Sequence, residues 1–416
     1  MFKVSEPWKR NLYSLWVAQF IAIMGMNLIV PFLPFYIRQL GVASEDSVVR
    51  WSGIVYAGPF FVSFLFVPFW GAMADRYGRK LMTVRAIFGL AISQALIGLA
   101  TTVEMVFVFR IVQGAISGFV SAALALVSVT TPREKSGYAI GVLSSASSSG
   151  AVVGPMIGGS LADAFGYRPI FFIVAGLCTL AGFLVVRFVR ETESVQPQTP
   201  VSISPFAGLR FTWRSPVVRM ALIIIVVSQA AILMVQPIFT LFVESVVTNK
   251  EFLATVAGGI FSVAGLFMVL SAPWWGQRND RHGAKKHLTY AIVGGAVAYA
   301  AQGFTTDAYQ LIFFRALEGF CMGGILPALY SFISKHTPES RGGTVMGIAS
   351  AFNILANMAG PTIGGLLAAR MGLAHVFFVS AAILLSAAIL TQFLPSARVN
   401  ADGIAVVPTP PLDGTS

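Results

Sequence analysis

Charge is scarce in this chain of 416 residues. Only 11% of them are charged, less than half the share of an ordinary soluble domain. Hydrophobic residues make up 56%, and the mean hydropathy is +0.78. A soluble fold cannot hide that much apolar surface, because much of any globular surface stays wet. A cytosolic enzyme, a DNA-binding factor and a disordered scaffold are excluded. Cysteine is nearly absent: Cys178 and Cys321 both lie in long apolar runs and support neither a disulfide framework nor a zinc site. The four histidines, His282, His287, His336 and His375, fall at or near the ends of such runs, and none has a partner at metal-ligand spacing. A Gly-x4-Gly-Lys-Ser/Thr phosphate loop is also missing, which argues against direct ATP drive. The expectation is a protein with no catalytic residues, no metal and no cofactor.

What is present is apolar length. Crossing about 30 Å of hydrocarbon takes about 20 residues of helix. Runs of that order fall near 12–36, 51–73, 82–101, 105–130, 137–161 and 169–189. Six more fall near 217–243, 255–275, 287–306, 309–333, 342–368 and 374–394. They are too long for barrel strands and show no alternation, so helices must satisfy the backbone in lipid. With both termini placed in the cytoplasm, the inner segments hold 20 of the 28 Lys and Arg and the outer loops hold 5. That bias predicts the orientation. It also accounts for the net charge of +11 through the lipid bilayer, with no nucleic acid. The expected division is a six-helix bundle over 1–189, a proline-rich cytoplasmic linker over 190–216, a second bundle over 217–394 and a disordered cytoplasmic tail over 395–416.

The two halves repeat at an offset of 205–206 residues. Gly71, Asp75, Arg76, Gly78 and Lys80 recur as Gly276, Asp280, Arg281, Gly283 and Lys285. Arg110 and Gly114 recur as Arg315 and Gly319. Gly154-Pro155 and Gly158-Gly159 recur as Gly360-Pro361 and Gly364-Gly365. An even number of spans per half keeps both repeats in one orientation. Two parallel bundles meeting at a midplane site are a transporter design.

Four motifs resemble the major facilitator superfamily. The loop Gly71-Ala-Met-Ala-Asp75-Arg76-Tyr-Gly78-Arg79-Lys80 is similar to its signature between helices 2 and 3. Phe109-Arg110-Ile-Val-Gln113-Gly114 resembles its helix 4 signature. Gly150-Ala-Val-Val-Gly154-Pro155-Met-Ile-Gly158-Gly159 and Val30-Pro31-Phe32-Leu33-Pro34 resemble motifs of its twelve-span drug–proton antiporters. The resemblance implies an all-α membrane protein with 12 transmembrane helices in two pseudo-symmetric six-helix bundles. It also implies a cavity lined by helices 1, 4, 7 and 10, with parts of 2, 5, 8 and 11.

Each motif carries a physical expectation. At the helix 2–3 loop, Gly71 permits close helix approach and Gly78 a tight turn. Asp75, Arg76 and Arg79, with Asp280 and Arg281 in the second half, could latch the inner side shut. Gly150, Gly154 and Gly158 line one helix side for close packing, and Pro155 bends that helix; this is the expected pivot. Glu318 is the only acid well inside a span, and Arg315 lies three residues before it on the same face. Charges in spans are costly and usually functional. Burial favours the neutral carboxyl and an adjacent guanidinium favours the carboxylate, so Glu318 is the candidate proton carrier. Arg315 would tune it and Arg110 assist from the other half. The alternative is a static Arg315–Glu318 pair. For the cavity, the polar candidates are Gln19, Asn27, Gln113, Gln229, Gln236, Asn353 and Asn357. The apolar candidates include Phe20, Met24 and Phe239.

The expected function is proton-coupled efflux of small amphipathic drugs or toxic compounds by alternating access. The expected setting is the inner membrane of a bacterium, with small-molecule substrate and protons as partners and a monomer sufficient for the pathway. The alternatives are a metabolite or sugar carrier of the same fold, or a non-transporting membrane receptor.

Overall fold

The computed structural model describes residues 7–191, 210, 212–338, 341–395, 398–399 and 405–406. Twelve long helices carry the fold. The first six are α1 (Pro7–Gln39), α2 (Glu45–Tyr77), α3 (Arg79–Leu99), α4 (Val103–Thr130), α5 (Ser136–Phe165) and α6 (Tyr167–Phe188). The second six are α7 (Pro216–Val246), α8 (Leu253–His282), α9 (Ala284–Gly303), α10 (Ala308–Lys335), α11 (Gly342–Met371) and α12 (Leu373–Thr391). Among the described residues, eleven are long and apolar enough to cross a membrane. The exception is α9, whose first turn carries Lys285, Lys286 and His287. The chain is therefore a multi-pass membrane protein. Both bundles have one end where the linker joins them and a far end opposite.

Tight loops close neighbouring helices. Gly78 (φ +95°) and its repeat Gly283 (φ +86°) turn the chain at the linker end. Gly166 and Gly372 do so at the far end, at φ +79° and +89°. Side chains with a Cβ rarely adopt this conformation, so the same turn is encoded twice in each half.

Three helices depart from the uninterrupted spans expected. A 3-10 turn interrupts α1 at Val30–Phe32, where Pro31 lacks an N–H, and α7 at Gln236–Ile238, around Pro237. The run 105–130 is not one helix either: α4 breaks after Ile116 and resumes at Phe119, with Gly118 at φ +116°. Its repeat partner α10 is continuous through Gly323.

The two halves meet along two seams, α5 against α8 and α2 against α11. Both seams are built from glycine. A Cβ on Gly159 or Gly258 would run into the backbone carbonyl of Ala254 or Pro155 across the first seam. A Cβ on Gly53 would lie 2.5 Å from the Pro361 carbonyl across the second. The other glycines of the repeated motif face inside their own half. Gly150 and Gly154 pack against Met24 on α1, at 2.8 Å for an added Cβ, and Gly158 meets Leu28. On α11, Gly360 and Gly364 likewise meet Ala230 and Met234 of α7. The doubled glycine thus has a use on each side: one member seats a helix of its own bundle, the other the opposite bundle.

Of the tail over 395–416, expected to be disordered, the structure describes Pro395 and a two-residue antiparallel pair, Arg398–Val399 with Ala405–Val406.

Candidate functional site

A cavity of about 390 Å³ opens between α1, α2, α3 and α4, with Ile354 of α11 closing one side. Asn27, Tyr56, Phe60, Arg110, Gln113 and Ser117 line it. Arg110 is buried, and its Nη1 donates to the Gln113 side-chain oxygen at 2.9 Å. Two donors remain in this wall: Arg110 Nε and Gln113 Nε2 have no hydrogen-bond partner among the described residues. Among the lining residues there is no carboxylate.

The break in α4 forms part of the same wall. It leaves carbonyls that helical N–H groups would otherwise meet, and side chains of α2 and α3 take them up. Ser63 donates to Gly114 O, Trp70 Nε1 to Ala115 O at 2.6 Å, and Arg85 to Ser117 O at 3.2 Å. The Arg85 guanidinium also lies 3.4 Å from the centroid of the Trp70 ring, a cation–π contact. In the second half Trp275 Nε1 donates to Phe320 O at 2.7 Å. Trp70 and Trp275 stand 205 residues apart, as do Ala115 and Phe320. This repeat escaped the sequence reading because two tryptophans carry no motif until their acceptors are known.

A second buried polar cluster lies in the C-terminal half. Arg315 Nη1 donates to Glu318 Oε2 at 2.7 Å, as the three-residue spacing predicts. Gln302 Nε2 donates to the same oxygen at 2.9 Å. The Tyr299 hydroxyl lies 3.0 Å from Glu318 Oε1 and 3.0 Å from the Ile232 carbonyl. Arg315 stacks over Phe239, 4.1 Å from its centroid. Tyr299 and Gln302 on α9 were not singled out from sequence. Their one signal is two polar side chains three residues apart in an apolar run.

The structure separates residues that the sequence grouped. Glu318 and Arg315 do not line the cavity with Arg110, and Arg110 is not among the groups that hydrogen-bond Glu318. Of the seven amides expected in the cavity, Asn27 and Gln113 line it. Gln19 instead ties α1 to α5 through Leu143 O and Ser147. Asn357 donates to Asn353 O along its own helix, and Gln229 and Gln236 are absent from the lining. Phe20 stacks on Trp16, Met24 packs under Gly150, and Phe239 is buried beneath Arg315.

The motif loop at the linker end is described in part. The side chains of Asp75 and Asp280 lie outside the described residues. Arg76 and Arg281 are exposed. The backbone N–H groups of Arg79 and Lys80, at the start of α3, donate to the Glu191 carboxylate at 3.0 and 2.8 Å, a favourable place for an anion. Glu191 stands at the start of the linker, three residues after α6 ends. Among the described residues, a Cβ on Gly71 or Gly276 meets nothing within 4 Å.

Among the described residues, three polar ties between the halves sit at the far end. Arg38 of α1 pairs with both oxygens of Glu244 of α7 at 3.1–3.2 Å. Thr240 Oγ1 donates to Pro31 O at 2.7 Å. Asp163, near the end of α5, accepts from Ala254 N at 3.2 Å and Thr255 N at 2.7 Å, capping the start of α8.

Paired six-helix bundles, a largely apolar cavity with a buried arginine in its wall and seams closed at one end define a membrane transporter of the two-bundle type. The sequence matches the family model of the Major Facilitator Superfamily over residues 15–252 and 245–404, and the chain belongs to that superfamily. It is similar to the "Multidrug resistance protein MdtG" of Enterobacter lignolyticus (strain SCF1), at 35% identity over 98% of this chain and 100% of that one. The protein of the same name from Escherichia coli (strain K12 / DH10B) is also 35% identical, over 91% of this chain and 92% of the relative. Among solved structures, the nucleoside transporter NupG superposes with a TM-score of 0.74 at 13% identity, covering 92% of this chain and 98% of that one. The human organic anion transporter MFSD10 superposes with a TM-score of 0.68 at 19% identity, covering 93% and 100%. At these identities the structural likeness concerns the fold.

Proposed function

We propose that this transporter exports small amphipathic drugs or toxic compounds in exchange for protons, by alternating access between the 1–189 and 217–394 bundles across the inner membrane. The observation that carries the cargo class is 35% identity to a multidrug resistance protein along 98% of the chain. The lysine and arginine bias supports a cytoplasmic linker end and cytoplasmic termini. Ion pair, helix cap and glycine contacts at the far end, with no described residue against Gly71 and Gly276 at the linker end, support an inward-open state. Asp75, Arg76, Arg79, Asp280 and Arg281 would then engage in the opposite state. The cavity wall holds the buried Arg110 cation and no carboxylate. That chemistry favours neutral, zwitterionic or anionic amphiphiles.

Glu318 is the proposed proton carrier, with Arg315 holding one of its oxygens. Arg110 serves the cavity, on the other half. One chain supplies the entire pathway, so a monomer suffices.

The test is dye and drug transport in proteoliposomes under an imposed pH gradient, wild type beside Glu318→Gln. Gradient-dependent accumulation that fails in the variant supports the whole reading. Accumulation that persists in the variant keeps the exporter and moves the proton site elsewhere. No gradient-driven movement of any amphiphile overturns drug export in favour of a metabolite carrier or a receptor.

A further inference from the structure

Tyr299 has one hydroxyl hydrogen and two acceptors, Glu318 Oε1 and the Ile232 carbonyl, each 3.0 Å away. A phenol donates once. When Glu318 is ionised, its carboxylate is the stronger acceptor and takes that hydrogen. When Glu318 carries a proton on Oε1, the carboxyl O–H donates to the Tyr299 oxygen, and the Tyr299 hydrogen turns to Ile232. The other carboxylate oxygen is less free to switch. Oε2 accepts from Arg315 and Gln302 at once, and a proton there would displace the Arg315 contact or require the Gln302 amide to turn. The cluster thus directs an incoming proton to Oε1 and gives it one reader.

We propose that Tyr299 is a positioning residue that reports the proton state of Glu318 to α7, fastening Ile232 when Glu318 is protonated and releasing it when Glu318 is ionised. The inference rests on the proton role proposed for Glu318. Ile232 stands just before the 3-10 break of α7 at Gln236–Ile238. Beyond that break, α7 carries Thr240 and Glu244, which bind Pro31 and Arg38 of the other half. Fastening Ile232 steadies the segment that closes the far end, so proton uptake favours the closed far end seen here. The other titratable or charged groups around the carboxylate are Arg315 and Cys321 on its own helix. From α7, α8 and α12 the cluster is ringed by Phe239, Phe261 and Phe377.

The experiment pairs two readouts on the full chain in lipid bilayers, with no substrate. Spin labels at Gln39→Cys and Thr248→Cys, both exposed at the far end, report its opening, with Cys178→Ala and Cys321→Ala as background. Infrared difference spectra between acidic and alkaline buffer report the carboxyl C=O band that Glu318→Gln removes. Acidification is expected to shift wild-type labels toward short distances. Glu318→Gln stays short at both pH values. In Tyr299→Phe the Glu318 band persists at higher frequency, while the pH-driven change in the open-to-closed ratio falls about five-fold, the worth of one hydrogen bond. A Tyr299→Phe protein whose label distances follow pH like wild type overturns the relay and leaves the proton role intact. Absence of any band lost in Glu318→Gln overturns the proton role and the relay with it. If Tyr299→Phe does not fold, Glu318→Gln decides: distances that still lengthen in alkali overturn the proposal.

Discussion

Gln113 and Glu318 occupy equivalent positions in the two repeats, 205 residues apart, and each accepts a hydrogen bond from the arginine three residues before it. The Arg110–Gln113 contact is 2.9 Å and the Arg315–Glu318 contact 2.7 Å. One frame has therefore been given an amide on α4, beside the cavity, and an acid on α10, away from it.

This equivalence makes Glu318→Gln a mild substitution. The variant repeats on α10 a pair that α4 already accommodates. Its thermal unfolding midpoint in detergent is expected to stay within a few degrees of wild type. Glu318→Ala leaves Arg315 as a buried cation without its acid, at a cost of about 3–5 kcal/mol, and should unfold well below both.

Arg110 and Gln113 are expected to set affinity. A charge-assisted hydrogen bond is worth about 1.5–3 kcal/mol, so Arg110→Ala should weaken binding of an anionic amphiphile by about 10- to 100-fold. Gln113→Ala should cost less. Equilibrium binding to purified protein, with a neutral analogue for comparison, reads the difference. Equal losses for both ligands would remove the charge argument.

The far-end ion pair is partly exposed: the Arg38 side chain retains 35% and Glu244 20% of its accessible surface. A pair of that kind contributes at most about 1 kcal/mol. Arg38→Glu should shift the balance toward the open far end by about 2- to 5-fold. Combining it with Glu244→Arg should recover most of the shift. Label distances across the α1–α7 gap test both variants.

Asp163 makes a sharper prediction, since its two acceptors serve two named amides. Asp163→Ala should cost about 1 kcal/mol, as loss of a helix cap usually does. Hydrogen exchange at Ala254 and Thr255 should quicken first, and the rest of α8 should change little. Uniform quickening along α8 would point to loss of the seam as a whole.

Glycine substitutions should divide by end. Gly158→Ala drives a Cβ into the Leu28 backbone and Gly159→Ala into Ala254. Overpacking of this kind costs about 1–3 kcal/mol. Gly158→Ala acts within one bundle and should lower the unfolding midpoint. Gly159→Ala acts across the seam and should lengthen far-end distances with less effect on unfolding. Gly71→Ala meets none of the described residues and should leave both unchanged.

Helix number, bundle count and the Arg315–Glu318 pair were legible in the sequence, because apolar length, an ordered repeat of motifs and a three-residue spacing can be read along the chain. The cavity lining was less legible. Gln19 and Asn27 lie eight residues apart on α1, yet one ties to α5 and the other faces the cavity. Which face a residue presents depends on a neighbour more than 100 residues away. The Arg38–Glu244 pair lay hidden for a different reason. Its members are repeat partners of opposite charge, and a search for identical residues passes over them. The break in α4 had only Gly118 to announce it, and Gly323 at the same place in α10 leaves that helix whole.

The seams between the halves have a kinetic consequence. Where Gly53, Gly159 and Gly258 lie against opposing carbonyls, the nearest facing atoms are backbone, with the Phe32 ring beside Gly258 as a side-chain contact across the seam. Such faces can part and rejoin with few rotamers to withdraw and reseat. The friction of opening then falls on a few polar fastenings at the rim. Turnover speed becomes a property adjustable at Arg38, Asp163 and Thr240, leaving the shape of the cargo chamber unaltered.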